Sequence, residues 1–135
     1  MSSPGIITLE SNGGLKFGDY ASKKKLKSDD FEVNGDVYKV KSHCEITRAE
    51  KNGKLLFESV PGSLVKNFSL NENRCSFSIE GFENTQITVG LEQETEYKIF
   101  IDEISVGKSK SNLSSKLMFS VELHDNAKDV RIERA

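Results

Sequence analysis

Two adjacent carboxylates, Asp102 and Glu103, interrupt the alternating stretch EYKIFIDEISVGKSKSNLSSKLMFSVEL at residues 96–123. A pair of acids can cleave a glycosidic bond when the two flank it about 5–9.5 Å apart, delivered by different strands or loops. Neighbours in one turn point apart, and Asp favours turns because its side chain bonds nearby backbone amides. Asp102-Glu103 therefore reads as a turn between strands. Asp29-Asp30 and the alternating Glu92, Glu94 and Glu96 read as solvated acidic rims. Calcium would call for converging oxygens in an Asp-x-Asp-x-Asp-Gly loop, which the chain lacks.

His43 and His124 are the imidazoles available for proton transfer. His43 shares its parity with Lys39, Lys41 and Glu45, the polar side of a strand, and His124 ends a strand before Asp125-Asn126. Neither has an orienting partner in the sequence. Cys44 and Cys75 stand outside any Cys-x-x-Cys pair and read as free thiols, with no metal site expected. There is no nucleophile elbow, no Cys/His constellation and no phosphate-cradling glycine loop. No catalytic residue, cofactor or metal is expected.

Binding chemistry has a few candidates. Lys23, Lys24 and Lys25 could hold an anionic ligand, although lysines placed this way commonly guard a sheet edge. Tyr20 is the one ring expected to be exposed for stacking on a sugar, in a chain without tryptophan. Phe100 and Met118 each oppose the core row of their own strand, and their strands are expected to be neighbours. Together they form a candidate protein or self-association interface. Basic and aromatic residues are not interleaved on one surface, so nucleic acid is not an expected partner.

The elements that would position these residues are strands. Apolar residues alternate at Tyr97, Ile99 and Ile101; at Leu117, Phe119, Val121 and Leu123; at Ile87, Val89 and Leu91; and at Cys75, Phe77 and Ile79. Period two marks antiparallel strands with one buried and one wet face. Asn12-Gly13-Gly14 is expected to close a hairpin with Leu9 opposite Phe17, and Asn34-Gly35 one with Phe31 opposite Tyr38. Tyr38, Val40, Ser42, Cys44 and Ile46 read as one run ending at a third turn, Asn52-Gly53. Beyond it Leu55, Leu56 and Phe57 mix their parity and leave the register open. Pro61-Gly62, Asn71 to Asn73 and Gly81 to Asn84 supply further turns. The sequence predicts a single domain over residues 1–135, an antiparallel β-sandwich of about ten strands built from hairpins.

Nineteen basic against twenty-one acidic residues give a net charge of −2, too weak a field to draw the whole chain to nucleic acid or anionic membranes. No apolar run approaches the ~20 residues of a membrane helix, and MSSPGIITLES lacks a secretory signal's apolar core, so no membrane association is expected. The combination of GDY at 18–20, DFEVNGDVYKVKSHCEITRAEKNG, ESVPG at 58–62 and EYKIFID…VGKSKSNLSSKLMFSVEL resembles short bacterial proteins labelled endosialidase-like, over most of the chain. Where that pattern has a glycine after Asn-x-Ser, Ser115 stands here, so the turn before Lys116 is expected to differ. The closing segment also resembles the final hairpins of β-sandwich modules appended to polysaccharide-degrading enzymes. The resemblance implies a cytoplasmic bacterial protein, and its label implies a small carbohydrate-active hydrolase. No catalytic residue carries over, because four arginines without propeller repeats match no endosialidase motif. The expectation is a non-catalytic module that binds a protein partner, a second copy or a carbohydrate.

Overall fold

Inward-facing rows of apolar residues demand a second sheet to cover them, and the chain supplies one. The computed structural model describes residues 6–124 and 126–135. They form thirteen strands: β1 (Ile7–Leu9), β2 (Leu15–Phe17), β3 (Leu26–Val33), β4 (Asp36–Ser42), β5 (Thr47–Lys51), β6 (Lys54–Val60), β7 (Leu64–Leu70), β8 (Arg74–Glu80), β9 (Thr85–Gly90), β10 (Glu96–Ile101), β11 (Ile104–Lys110), β12 (Lys116–Val121) and β13 (Lys128–Arg134). A seven-stranded sheet has the order β1-β2-β7-β8-β13-β10-β11, and a six-stranded sheet β12-β9-β6-β5-β4-β3. Every pairing is antiparallel. The sandwich is as expected, with thirteen strands in place of about ten. Part of the difference is the run from Tyr38 toward Asn52-Gly53, which reads as one strand and is broken into β4 and β5 after Ser42.

The sheets meet through aromatic rings. Phe57 on β6 is fully buried and packs edge-on against Phe17 at 5.4 Å and Phe77 at 5.5 Å, both on the opposite sheet. Phe68 on β7 completes the cluster at 6.3 Å from Phe57. Each such ring buried contributes roughly 1.5–3 kcal/mol. The flanks close where β1 lies against β3 and β11 against β12.

Turn chemistry sets most registers. Asn34-Gly35 and Asn52-Gly53 take positive φ at both positions (51° and 87°, 50° and 81°), the geometry that suits a twisted two-residue hairpin. Phe31 pairs with Tyr38 as expected. Leu9, however, faces Leu15, and Ile7 faces Phe17. Asn12 folds its side chain back on the Gly14 amide at 2.9 Å, and Glu10 N–H donates to the Gly14 carbonyl at 2.8 Å, which makes the loop longer than three residues. The run from Tyr38 to Ile46 does not continue as one strand: β4 stops at Ser42, residues 43–46 turn, closed by His43 N–H on the Ile46 carbonyl at 3.0 Å, and β5 begins at Thr47. The open register after Asn52-Gly53 resolves as a bulge. Ala49 pairs with Phe57 and Glu50 with Leu55, so Leu56 is the extra residue and both Leu56 and Phe57 are buried.

One end of the sandwich is sealed by hydroxyls. Ser42, Thr47, Ser59 and Ser63 are each 0% exposed. Asp19 N–H donates to Ser42 Oγ at 2.7 Å, Ser42 Oγ sits 2.7 Å from Thr47 Oγ1, and Thr47 Oγ1 donates to the Ser63 carbonyl at 2.9 Å. Ser63 N–H returns a bond to Thr47 Oγ1 at 3.0 Å. Backbones pass so closely here that a Cβ on Gly18 would lie 2.2 Å from the Ser63 carbonyl oxygen, and one on Gly62 2.0 Å from that of His43. His43 belongs to this seal and is 6% exposed, correcting its expected place on a wet strand face. Its strand ends one residue earlier, so the alternation no longer applies to it. Thr47→Val keeps the shape but strands the Ser63 amide, which should cost about 1–3 kcal/mol in urea unfolding, whereas Thr47→Ser keeps the hydroxyl and loses one buried methyl, about 0.8 kcal/mol.

Candidate functional site

Among the described residues, the opposite end of the sandwich has no such seal. Leu70, paired with buried Cys75, ends the inner row of β7 and is 38% exposed. Leu91 continues the row of Ile87 and Val89, and is half-buried. Lys51 pairs with core residue Tyr38 and Lys54 pairs with Lys51, so both lysines occupy inward positions at the rim. Between them opens a groove of about 800 Å³, lined by these residues with Leu55, Leu56, Glu92, Leu113 and Lys116 among others. A smaller cavity of about 200 Å³ continues it past Leu70 and Leu91 toward Arg74, Glu72 and Tyr97.

The segment 111–115 forms one wall and is held firmly. Asn112 Oδ1 accepts from the amides of Ser114 at 2.9 Å and Lys116 at 3.0 Å. Leu91 N–H donates to the Ser115 carbonyl at 2.8 Å. Buried Ser111 donates to the carbonyl of Glu92, and Tyr97 Oη accepts from the Glu92 amide at 3.2 Å. Ser115 has φ 63°, the left-handed conformation that glycine adopts most easily. This frame projects Leu113 outward, 72% exposed. The groove has no signature in the sequence, because its parts come from four separate connections. The one clue was inward-parity lysines flanking Asn52-Gly53.

The residues singled out in the sequence are scattered. Asp102 and Glu103 form the β10–β11 turn as expected, at φ 51° and 66°. Asp102 Oδ1 accepts from the Asp129 amide at 2.9 Å, and Glu103 pairs with Arg131 at 2.8 Å. His124 is a turn residue at φ 47°, while Asp125 lies outside the described residues. Lys23, Lys24 and Lys25 are exposed in the loop leading into β3, the edge of its sheet. Tyr20 is half-buried rather than exposed, with Phe82 edge-on at 4.7 Å and Glu80 Oε2 3.4 Å from its hydroxyl. Phe82, 55% exposed, is the more open ring, and lay unnoticed in a turn.

Phe100 and Met118 do not share a patch. β10 belongs to the seven-stranded sheet and β12 to the six-stranded one, so their outer faces point away from each other. The connection 111–115 crosses between sheets, and nearness in sequence is not adjacency in a sheet. Phe100 lies under the Arg131 guanidinium, 4.1 Å from the ring centre. A hydrogen bond to Glu133 above all, with the charge of Glu103, holds that guanidinium protonated above its usual range. Met118 remains 53% exposed.

No Asp or Glu among the described residues is buried, and no three His, Cys, Asp or Glu side chains among them converge as metal ligands would. Burial pushes the Cys75 thiol up to about 12, so it is neither a nucleophile nor a ligand at neutral pH. Because this acid's folded value lies above its unfolded one, its contribution to stability is complete below the ordinary thiol value of 9.0 and is lost as pH rises toward about 12. Half-buried Cys44 should therefore react with a disulfide reagent at pH 8 in the native state, whereas Cys75 should react only with urea present. Equal rates for both thiols would contradict the burial of Cys75. Comparison with protein-family models, with curated proteins and with solved structures gave no match.

Proposed function

We propose that this protein is a non-catalytic binding module whose ligand seats in the open end of the sandwich. One observation carries this reading. A rigid turn holds Leu113 in solvent beside a groove of about 800 Å³, where Leu70 and Leu91 also await cover. Large exposed apolar side chains beside a concave surface mark contact sites. A carbohydrate-active hydrolase, by contrast, needs a general acid whose pKa is raised by burial, and the described carboxylates are solvated or ion-paired. Titration with the apolar anion 8-anilinonaphthalene-1-sulfonate tests the groove. The folded protein should bind it saturably, and Leu113→Asp should weaken binding by about tenfold, equivalent to ~1.4 kcal/mol. Leu9→Asp, an exposed leucine on β1, serves as control. Dye affinity unchanged by Leu113→Asp would sink the proposal.

A glycan-binding reading has its own observation. Phe82 presents an exposed ring, and nearby Glu80 is held by Lys66 at 3.6 Å, an apolar plane beside polar groups such as a sugar ring requires. Lys23, Lys24 and Lys25 follow Tyr20 and would favour acidic sugars. On a glycan array including oligosialic acids, this reading expects one sugar class bound by the wild type and lost in Phe82→Ala. A silent array, or binding indifferent to Phe82, removes it.

A further inference from the structure

We infer that the occupant of the end groove is an extended acidic peptide segment of a partner protein, with leucine-like side chains next to Asp or Glu; this rests on the groove being the binding site. The shape of the groove selects the size class. Small-molecule pockets enclose most of their ligand. Here Leu113 and Leu70 stay 72% and 38% exposed at the mouth, so whatever covers them must arrive from outside and extend beyond the groove. A short segment of another chain does both.

Charge selects the composition. The chain as a whole carries −2, yet the main groove is lined by Lys51, Lys54 and Lys116 against the single carboxylate of Glu92. Lys51 has Asp36 at 3.7 Å, whereas no carboxylate of a described residue pairs with Lys54 or Lys116. The continuation past Leu70 adds Arg74 and Glu72, which cancel. Lys51 and Lys54 also stand directly opposite across their hairpin, a like-charge pairing that destabilises a sheet. An acidic side chain seated between them relieves that repulsion, so the cost borne by the free protein becomes attraction in the complex. Asn112 holds the Leu113 wall ordered beforehand, which spares the ordering entropy that a mobile loop would lose on binding.

The test is to pan a random displayed peptide library against the full chain and measure the recovered peptides by fluorescence anisotropy. The expected peptides combine Leu, Ile, Met or Phe with neighbouring Asp or Glu, and bind more weakly as salt rises. Lys54→Glu with Lys116→Glu should lower their affinity about tenfold or more, and Leu113→Ser should do so separately, each variant keeping the wild-type melting temperature. Peptides that depend on Leu113 but show no acidic bias, or ignore the lysine exchanges, overturn the acidic partner while leaving the groove in place. Peptides indifferent to both Leu113 and the lysines overturn the groove as well. A library that yields no binder overturns the peptide class, and the dye titration then decides the groove independently.

Discussion

Phe57 holds the two sheets together. It is the ring from the six-stranded sheet around which Phe17, Phe68 and Phe77 of the other sheet are arranged, and it is wholly buried. Edge-to-face pairs favour particular offsets, so the cluster fixes where one sheet lies over the other as well as holding them together. Once that overlap is set, the strand lengths decide how each end of the sandwich finishes. The bulge at Leu56 belongs to the same constraint, because it brings Phe57 onto the core side although the turn before it would count otherwise.

The two ends finish by different physics. At one, backbones cross without room for a Cβ on Gly18 or Gly62, and a directed chain of hydroxyls satisfies the polar groups buried there. A network of that kind is strong when complete, and it leaves no space for a ligand. At the other end Leu70 of the inner row of β7 is exposed, and lysines take positions where the core would place apolar side chains. That end can stay open because the 111–115 wall draws its rigidity from Asn112 and Ser111 rather than from packing across the groove. The asymmetry makes one end a structural clamp and leaves the other as the open groove where binding is proposed.

Phe100 and Met118 were rightly placed off their core rows, yet one is covered by Arg131 and the other lies on a different sheet. Alternation gives the face of a residue within its strand and is silent about which sheet the strand joins. His43 failed similarly, since a strand ending one residue early removes the parity argument. Leu113 was missed because a lone leucine in a Ser/Asn-rich turn has no periodic neighbour to draw attention to it.

Everything that depends on near neighbours is legible in the residues alone. Period-two rows specify strands and their buried faces, and Asn-Gly pairs specify tight hairpins such as the one that sets Phe31 against Tyr38. Asp102-Glu103 was legible as a turn for the same reason. The order of strands in the sheets, the meeting of Phe57 with three rings from distant segments, and the sealing of one end while the other stays open are set by the folded chain as a whole. Those outcomes depend on contacts between segments far apart in the chain, and on side-chain volumes that fit only when both sheets are present.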